Sequence, residues 1–259
     1  CPPASTMRAP DGASSLAPEN TLAAFDRAEK LGADAVELDV QLSKDGILVV
    51  IHDETVDSVT EANGPVAERT LAELKKLDAG YRFQDTTGAW PLRGKGITIP
   101  TLEEVFQAFP ELPMVVEMKA PSPELEQKLL VLIDKYNRRA NVMVSCEKDE
   151  PLRRFGELSG HTVALGAGED EARRIILSAK AGLDRLFAFD AAALQIPLTS
   201  SGLDLATRGV VEAAHAHNIA VQYWTINEKD EMRRLVSLGV DGITTDRPDL
   251  ALAIVKGER

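Results

Sequence analysis

Cysteine is nearly missing from this chain. Only Cys1 and Cys146 occur among 259 residues, too few for a disulfide framework and in no metal-site spacing. Aromatic residues are scarce too, 5% against 44% hydrophobic in all, so a large core must be mainly aliphatic. No apolar run reaches the length of a bilayer span, and no transmembrane segment is expected. Basic residues are outnumbered, 29 Lys and Arg against 41 Asp and Glu, for a net charge of -12. A nucleic-acid partner would want a basic stripe, so none is expected. An anionic substrate must be drawn in locally, by a metal or a few cations, against the overall field. No linker-like stretch divides the chain, and a single domain over residues 1–259 is expected.

What is present centres on residues 36–53, two strand-like runs joined at Asp45-Gly46. Asp-Gly between β-rich runs is a strong hairpin signal. With these two as the turn, Lys44 faces Ile47 and Asp39 faces His52. Side chains alternate along a strand, so Glu37 shares a face with Asp39. Directly opposed residues point to the same side. The expectation is two carboxylates and an imidazole on one face. A three-residue turn would slip the register by one and carry His52 out of line. The plainer alternative is an edge hairpin with a solvated polar face.

Pro18 and Glu19 suit the first turn of a helix with Leu22, Phe25, Ala28 and Leu31 on one face and Gly32 at its end. Residues 79–100, with Tyr81, Phe83 and Trp90, read as an ordered loop near a mouth. Thr101 and Glu104 have capping-box spacing. Strands are expected at about 4–9, 35–39, 114–117, 141–145, 162–165, 185–189, 220–224 and 242–245, with helices between most of them. That alternation means βαβ units and a parallel sheet. Eight such units favour an α/β fold of the closed (β/α)8 TIM-barrel type over an open doubly wound sheet, with the β-hairpin as an extension after the second strand.

In such a barrel the active site lies at the C-terminal strand ends. Glu37 and Asp39 fall at that end of the second strand. Glu117 and Lys119, two apart, fall at the same end of the next barrel strand. Three converging carboxylates repel one another unless protonated or bridged by a cation. An all-oxygen set suits a hard divalent ion, Mg²⁺ or Ca²⁺, better than zinc. Such an ion would polarise a phosphoryl or carbonyl oxygen, and His52 would shuttle a proton. The alternative for Glu117 and Lys119 is a buried ion pair closing the barrel top.

Seven stretches, in order from residue 17 to residue 248, together resemble the glycerophosphodiester phosphodiesterase family. They are Ala17-Pro18-Glu19-Asn20-Thr21-Leu22-Ala23-Ala24-Phe25, Glu37-Leu38-Asp39-Val40, Lys44-Asp45-Gly46, His52-Asp53, Val116-Glu117-Met118-Lys119, Trp224-Thr225-Ile226-Asn227 and Gly239-Val240-Asp241-Gly242-Ile243-Thr244-Thr245-Asp246-Arg247-Pro248. The resemblance implies a barrel of the kind just read. It implies hydrolysis of a small-molecule glycerophosphodiester to sn-glycerol 3-phosphate and an alcohol, assisted by a divalent cation. Carried over by position, Glu37, Asp39 and Glu117 would be metal ligands and His52 a catalytic acid/base. Lys119 would help hold the phosphate, and Trp224 would line the pocket.

The chain also departs from that pattern. The family's first motif, His-Arg-Gly, lies eight residues before Pro-Glu-Asn-Thr, where this chain has Pro10-Asp11-Gly12. A second arginine, usual shortly after the His-Asp pair, stands as Ser58. Losing a positioned acid/base typically costs about 10²–10⁴ in rate, and losing a charged phosphate contact costs more. Asp11 is open to three roles: a fourth metal ligand, a substitute acid/base, or a group that repels phosphate. His161, His215 and His217 are expected on the wrong side of the barrel, and Cys146 as a small buried residue. Three functional readings stand: a metal-dependent phosphodiesterase, weak or of altered substrate; a non-catalytic ligand-binding relative that keeps the metal pocket; and a rewired site carrying out intramolecular transfer.

The opening Cys1-Pro2-Pro3-Ala4-Ser5 resembles a processed bacterial lipoprotein. On that reading the protein is lipid-anchored at Cys1 and periplasmic or otherwise extracytoplasmic. The other reading is a numbering that starts inside a longer chain, with the protein cytoplasmic.

Overall fold

The structure is a computed structural model and describes residues 6–9, 16–85 and 87–255. β1 (Thr6–Ala9) leads to α1 (Leu22–Leu31) and β2 (Ala35–Leu42), which turns back as the short β3 (Leu48–Val50). A one-turn helix α2 (Leu71–Leu74) and α3 (Leu102–Ala108) precede β4 (Met114–Met118). Regular alternation follows: α4 (Pro123–Lys135), β5 (Val142–Ser145), α5 (Asp149–Ser159), β6 (Ala164–Leu165), α6 (Glu169–Ala181) and β7 (Ala193–Ile196). A small hairpin, β8 (Thr199–Ser200) and β9 (Leu203–Asp204), comes before α7 (Arg208–Ala216), β10 (Ala220–Tyr223), α8 (Lys229–Leu238), β11 (Gly242–Thr244) and α9 (Pro248–Val255).

The hydrogen-bonded order is β6-β5-β4-β2-β1-β11-β10-β7, with β3 antiparallel on β2 outside that path. One parallel bridge, Gly166 to Ala193, joins the two ends. Around it the Ala192 N–H donates to the Leu165 carbonyl and the Ala167 N–H to the Ala193 carbonyl, both at 2.8 Å. Register partners followed once round the ring, from Glu37 through Val115, Met143 and Ala164, return to the line of β2 displaced by eight residues towards its N-terminal end. That is the shear of a (β/α)8 TIM barrel.

Alternation along the strands sorts the residues. Outward from β2, β4 and β5, Leu38, Val40, Val116, Met118 and Val144 pack with Phe106, Leu125 and Leu129 of the covering helices. Outward from the other half, Leu194, Ile196, Val221, Tyr223 and Ile243 pack with Ile175, Val211 and Leu235. Inside, Val115, Met143 and Ala193 plug the bottom, with Ala220 against them. Between β3 and α3 the chain builds a small core of its own from Val49, Ile51, Val56, Val66, Leu74, Ala79 and Ile99, so the described residues of the 79–100 loop are anchored at Ala79 and Ile99. The Thr101/Glu104 capping box forms as read.

Two departures from the sequence pattern concern the strands and their turns. A strand is predicted at 185–189, but Asp184–Leu186 form a 3₁₀ turn and the strand is β7. The apolar residues that suggest a strand serve the loop instead. Leu186 is 76% exposed, Phe187 stacks on Phe189, and Phe189 meets His217 edge-on. The hairpin turn, predicted with two residues, has three: Lys44, Asp45 and Gly46. The Ser43 N–H donates to the Ile47 carbonyl at 2.9 Å, and Val40 pairs with Val50. Asp39 therefore faces Ile51, not His52. The Ser43 hydroxyl donates to Asp45 Oδ1 at 2.7 Å and accepts from the Ile47 N–H at 2.9 Å. Gly46 takes a left-handed φ of 73°, the geometry of a three-residue hairpin loop.

Candidate active site

Register sets Asp39 of β2 directly beside Glu117 of β4, and both point into the barrel mouth with Glu37. One carboxylate oxygen from each of Glu37, Asp39 and Glu117 lies within 4.8 Å of the other two. The Lys119 ammonium sits 3.1 Å from Asp39 Oδ1 and 2.9 Å from Glu117 Oε1. Burial works to lower the Lys119 pKa, but the charges of Asp39 and Glu117 outweigh it and raise the group above the ordinary lysine value. It stays charged and offsets part of the carboxylate repulsion.

Asp39 is 1% exposed. Its Oδ2 accepts a hydrogen bond from Asn20 Nδ2 at 2.8 Å, and its N–H donates to Asn20 Oδ1 at 3.1 Å. Oδ1 is buried and meets Lys119 off hydrogen-bond geometry, with no hydrogen bond among the described residues. A buried carboxylate oxygen in that state, beside two more carboxylates, fits a hard cation with oxygen ligands.

Asn20 reaches Asp39 because α1 starts later than the sequence predicts. Thr21 is the N-cap, accepting from the Ala24 N–H, so Pro18, Glu19 and Asn20 precede the helix. Asn20 takes a left-handed φ of 55°, which Asn tolerates better than most residues. Glu19 is drawn into the same acidic neighbourhood. Burial pushes its carboxyl above the usual range; the charge of His52 opposes this, and those of Asp53, Asp39 and Asp246 add to it.

His52 arrives by a bend rather than by strand alternation. Gln41 Nε2 donates to the carbonyls of Ile51, His52 and Asp53 at 3.1, 3.0 and 2.6 Å, holding the chain over the mouth as β3 ends. His52 Nδ1 lies 2.8 Å from Asp53 Oδ1. Hydrogen bonds from His52 and then from Ser58 hold the Asp53 carboxyl below the usual carboxylate range. An ionised Asp53 keeps the proton on Nδ1 and turns the basic lone pair to Nε2. Ser58, at the place of the family's second arginine, thus serves Asp53. Trp224 stands on the rim just past β10, 45% exposed. Asn227 donates to Asp246 Oδ2 at 2.8 Å and accepts from the Asp246 N–H and the Thr245 hydroxyl, both at 3.1 Å, tying the exits of β10 and β11 together. Pro10 and Asp11 lie outside the described residues.

The other histidines keep away from the mouth. His215 Nε2 lies 2.7 Å from Asp241, just ahead of β11, and His217 Nε2 lies 3.1 Å from the Asp184 carbonyl. His161 follows the Gly160 cap of α5 and precedes β6. Cys146 is buried and free, and burial pushes its thiol up. Asn20, Glu19 and Gln41 are the residues that the sequence reading leaves out of the site. The signal for the first two was the motif at residues 17–25, whose members before the Thr21 cap lie ahead of the helix.

The class is thus a (β/α)8 barrel with an acidic, cation-compatible pocket at its strand ends. Residues 11–250 match the Glycerophosphoryl diester phosphodiesterase family. The chain is 37% identical over 253 residues to the glycerophosphodiester phosphodiesterase of Caldanaerobacter subterraneus subsp. tengcongensis, covering 95% of each. It is 32% identical over 261 residues to the glycerophosphodiester phosphodiesterase of Bacillus subtilis, covering 95% of this chain and 85% of that one. Among solved structures, the glycerophosphodiester phosphodiesterase from Agrobacterium tumefaciens superposes with a TM-score of 0.77 at 26% identity, over 96% of this chain and 99% of that one. An Oleispira antarctica phosphodiesterase in complex with the product sn-glycerol-3-phosphate superposes with a TM-score of 0.76 at 26% identity, over 97% of each. The chain belongs to the glycerophosphoryl diester phosphodiesterase family.

Proposed function

We propose that the protein hydrolyses glycerophosphodiesters to sn-glycerol 3-phosphate and an alcohol, using a divalent cation, Mg²⁺ or Ca²⁺, held by Glu37, Asp39 and Glu117. The observation that carries the reading is the convergence of one carboxylate oxygen from each of Glu37, the buried Asp39 and Glu117 within 4.8 Å of one another. Relatives that cover nearly the whole chain support the reaction class. A bound cation supplies polarisation of the phosphoryl oxygen. The chain's own residues do the rest. Lys119 presents positive charge to the phosphate, and His52 Nε2 moves the proton at the attacking or departing oxygen. Asp53 fixes the tautomer that makes this possible, and Trp224 walls the mouth. The domain spans residues 1–259. No helix among the described residues is long and apolar enough to cross a membrane.

The test is turnover of glycerophosphocholine and glycerophosphoethanolamine with Mg²⁺ and with Ca²⁺, against a Glu37→Ala control. Cation-dependent release of sn-glycerol 3-phosphate, lost in the variant, supports the reading. An inert wild-type protein leaves a ligand-binding relative in its place.

A further inference from the structure

His52 stands on the surface side of the mouth. Its side chain is 48% exposed and that of Asp53 46%, so burial does not hold the imidazole in place. Its position has to come from the backbone that carries it. The last backbone bond between the two arms of the hairpin runs from the Ile51 N–H to the Asp39 carbonyl at 3.0 Å. Beyond it the chain leaves the sheet. No backbone N–H among the described residues meets the carbonyls of Ile51, His52 or Asp53.

A single side chain takes all three. Gln41 lies two residues after Asp39 on β2 and is 4% exposed. Its Nε2 is 2.6 Å from the Asp53 carbonyl, 3.0 Å from that of His52 and 3.1 Å from that of Ile51. An amide nitrogen has two hydrogens, so two of these bonds share one. A peptide unit is planar, which leaves only φ and ψ free at each Cα. The Ile51 and His52 carbonyls belong to the planes on either side of the His52 Cα. The His52 and Asp53 carbonyls belong to those on either side of the Asp53 Cα. Anchoring three planes to one nitrogen therefore fixes both dihedrals of both residues, and with them the directions in which the imidazole and the carboxylate leave the chain. The 2.8 Å approach of His52 Nδ1 to Asp53 Oδ1 depends on those directions.

We infer that Gln41 is the positioning residue for proton transfer, tying His52 to the strand that carries Glu37 and Asp39. This rests on the function proposed above. The proton-transfer group and two of the three cation ligands then share one rigid element, although His52 itself stands on an exposed bend. Groups held by such an element keep their geometry better than groups held by a loop. Gln41 acts through His52 and not on the substrate. A displacement of about 1 Å at a reacting group costs about 10²-fold in rate.

The experiment uses Gln41→Met, which keeps the length of the side chain and removes its donors, with Gln41→Leu as a second variant. Each is made in the wild type and in a His52→Ala background. The measurements are kcat and KM for glycerophosphocholine, Mg²⁺ affinity by calorimetry, and the rise in Tm on adding Mg²⁺ as a check of folding. The expected result in the wild-type background is a fall in kcat of about 10²-fold, with KM and Mg²⁺ affinity unchanged. In the His52→Ala background the same substitution should cost nothing further, because the group it positions is gone. A fall by the same factor in both backgrounds, or a loss of Mg²⁺ affinity in step with the rate, marks a general structural role and overturns the inference. So does the absence of the Mg²⁺-induced rise in Tm in both variants. Wild-type kcat in a folded variant overturns it as well and leaves the phosphodiesterase in place. A wild type without turnover overturns the functional reading and the positioning role together.

Discussion

Asp39 divides its two oxygens between different tasks. Asn20 occupies one and locks the carboxylate plane, and the other is left facing Lys119 and the neighbouring carboxylates. Groups that orient a metal ligand in this way are worth about 10–100-fold in cation affinity. Asn20→Ala should weaken Mg²⁺ or Ca²⁺ binding by that factor in calorimetric titration; an unchanged affinity would show that the Asn20 bond plays no part in holding the ion. His52→Ala should lower kcat by about 10²–10⁴, read by initial rates at saturating cation. Glu37, Asp39, Glu117 and Lys119 were legible in the sequence because strand parity and motif order both pointed to them. Asn20 was not, because Pro18-Glu19 has the composition of a helix start and nothing local reveals that the cap comes at Thr21.

At the scale of elements, the hairpin that carries the chain from Asp39 to His52 depends on Asp45. Hydrogen bonds from the Ser43 hydroxyl and then from the Leu71 N–H hold its carboxyl below the usual value. A depressed folded-state pKa stabilises above the unfolded value, about 4, and that stabilisation is lost as pH falls through the folded value. Asp45→Asn should therefore melt lower than wild type at neutral pH, and the gap should close as pH falls through the depressed folded value. The same Asp45 contacts explain the misread register. Ser43 and Leu71 favour a three-residue loop, whereas the Asp-Gly pair alone suggests two. Between helices, Glu126 of α4 is 2% exposed and takes both Nε and Nη2 of Arg154 of α5, at 3.1 and 2.6 Å. Arg154→Met strands that carboxylate and should lower the midpoint in chemical denaturation. Adding Glu126→Gln should recover much of the loss. β7 was hidden for the opposite reason to Asn20: Leu186 and Phe187 look like core and are not, while the true strand is four residues long with a glutamine inside it.

For the molecule as a whole, eight alternating units made the barrel readable before any coordinate, since that number at this length favours a closed ring over an open doubly wound sheet. How the ring shuts was not readable, because it depends on a contact between residues that are unremarkable in sequence. The two apolar shells meet at β6 and β7, where a single bridge stands in for a ladder. Local opening begins where the fewest backbone bonds must break. In native-state deuterium exchange, the Ala167 and Ala192 amides should therefore label well before that of Leu38 in the densely paired β2. The barrel then behaves as a clasped bracelet, springing open along one line under mild denaturant while the acidic mouth on the far side still holds its shape.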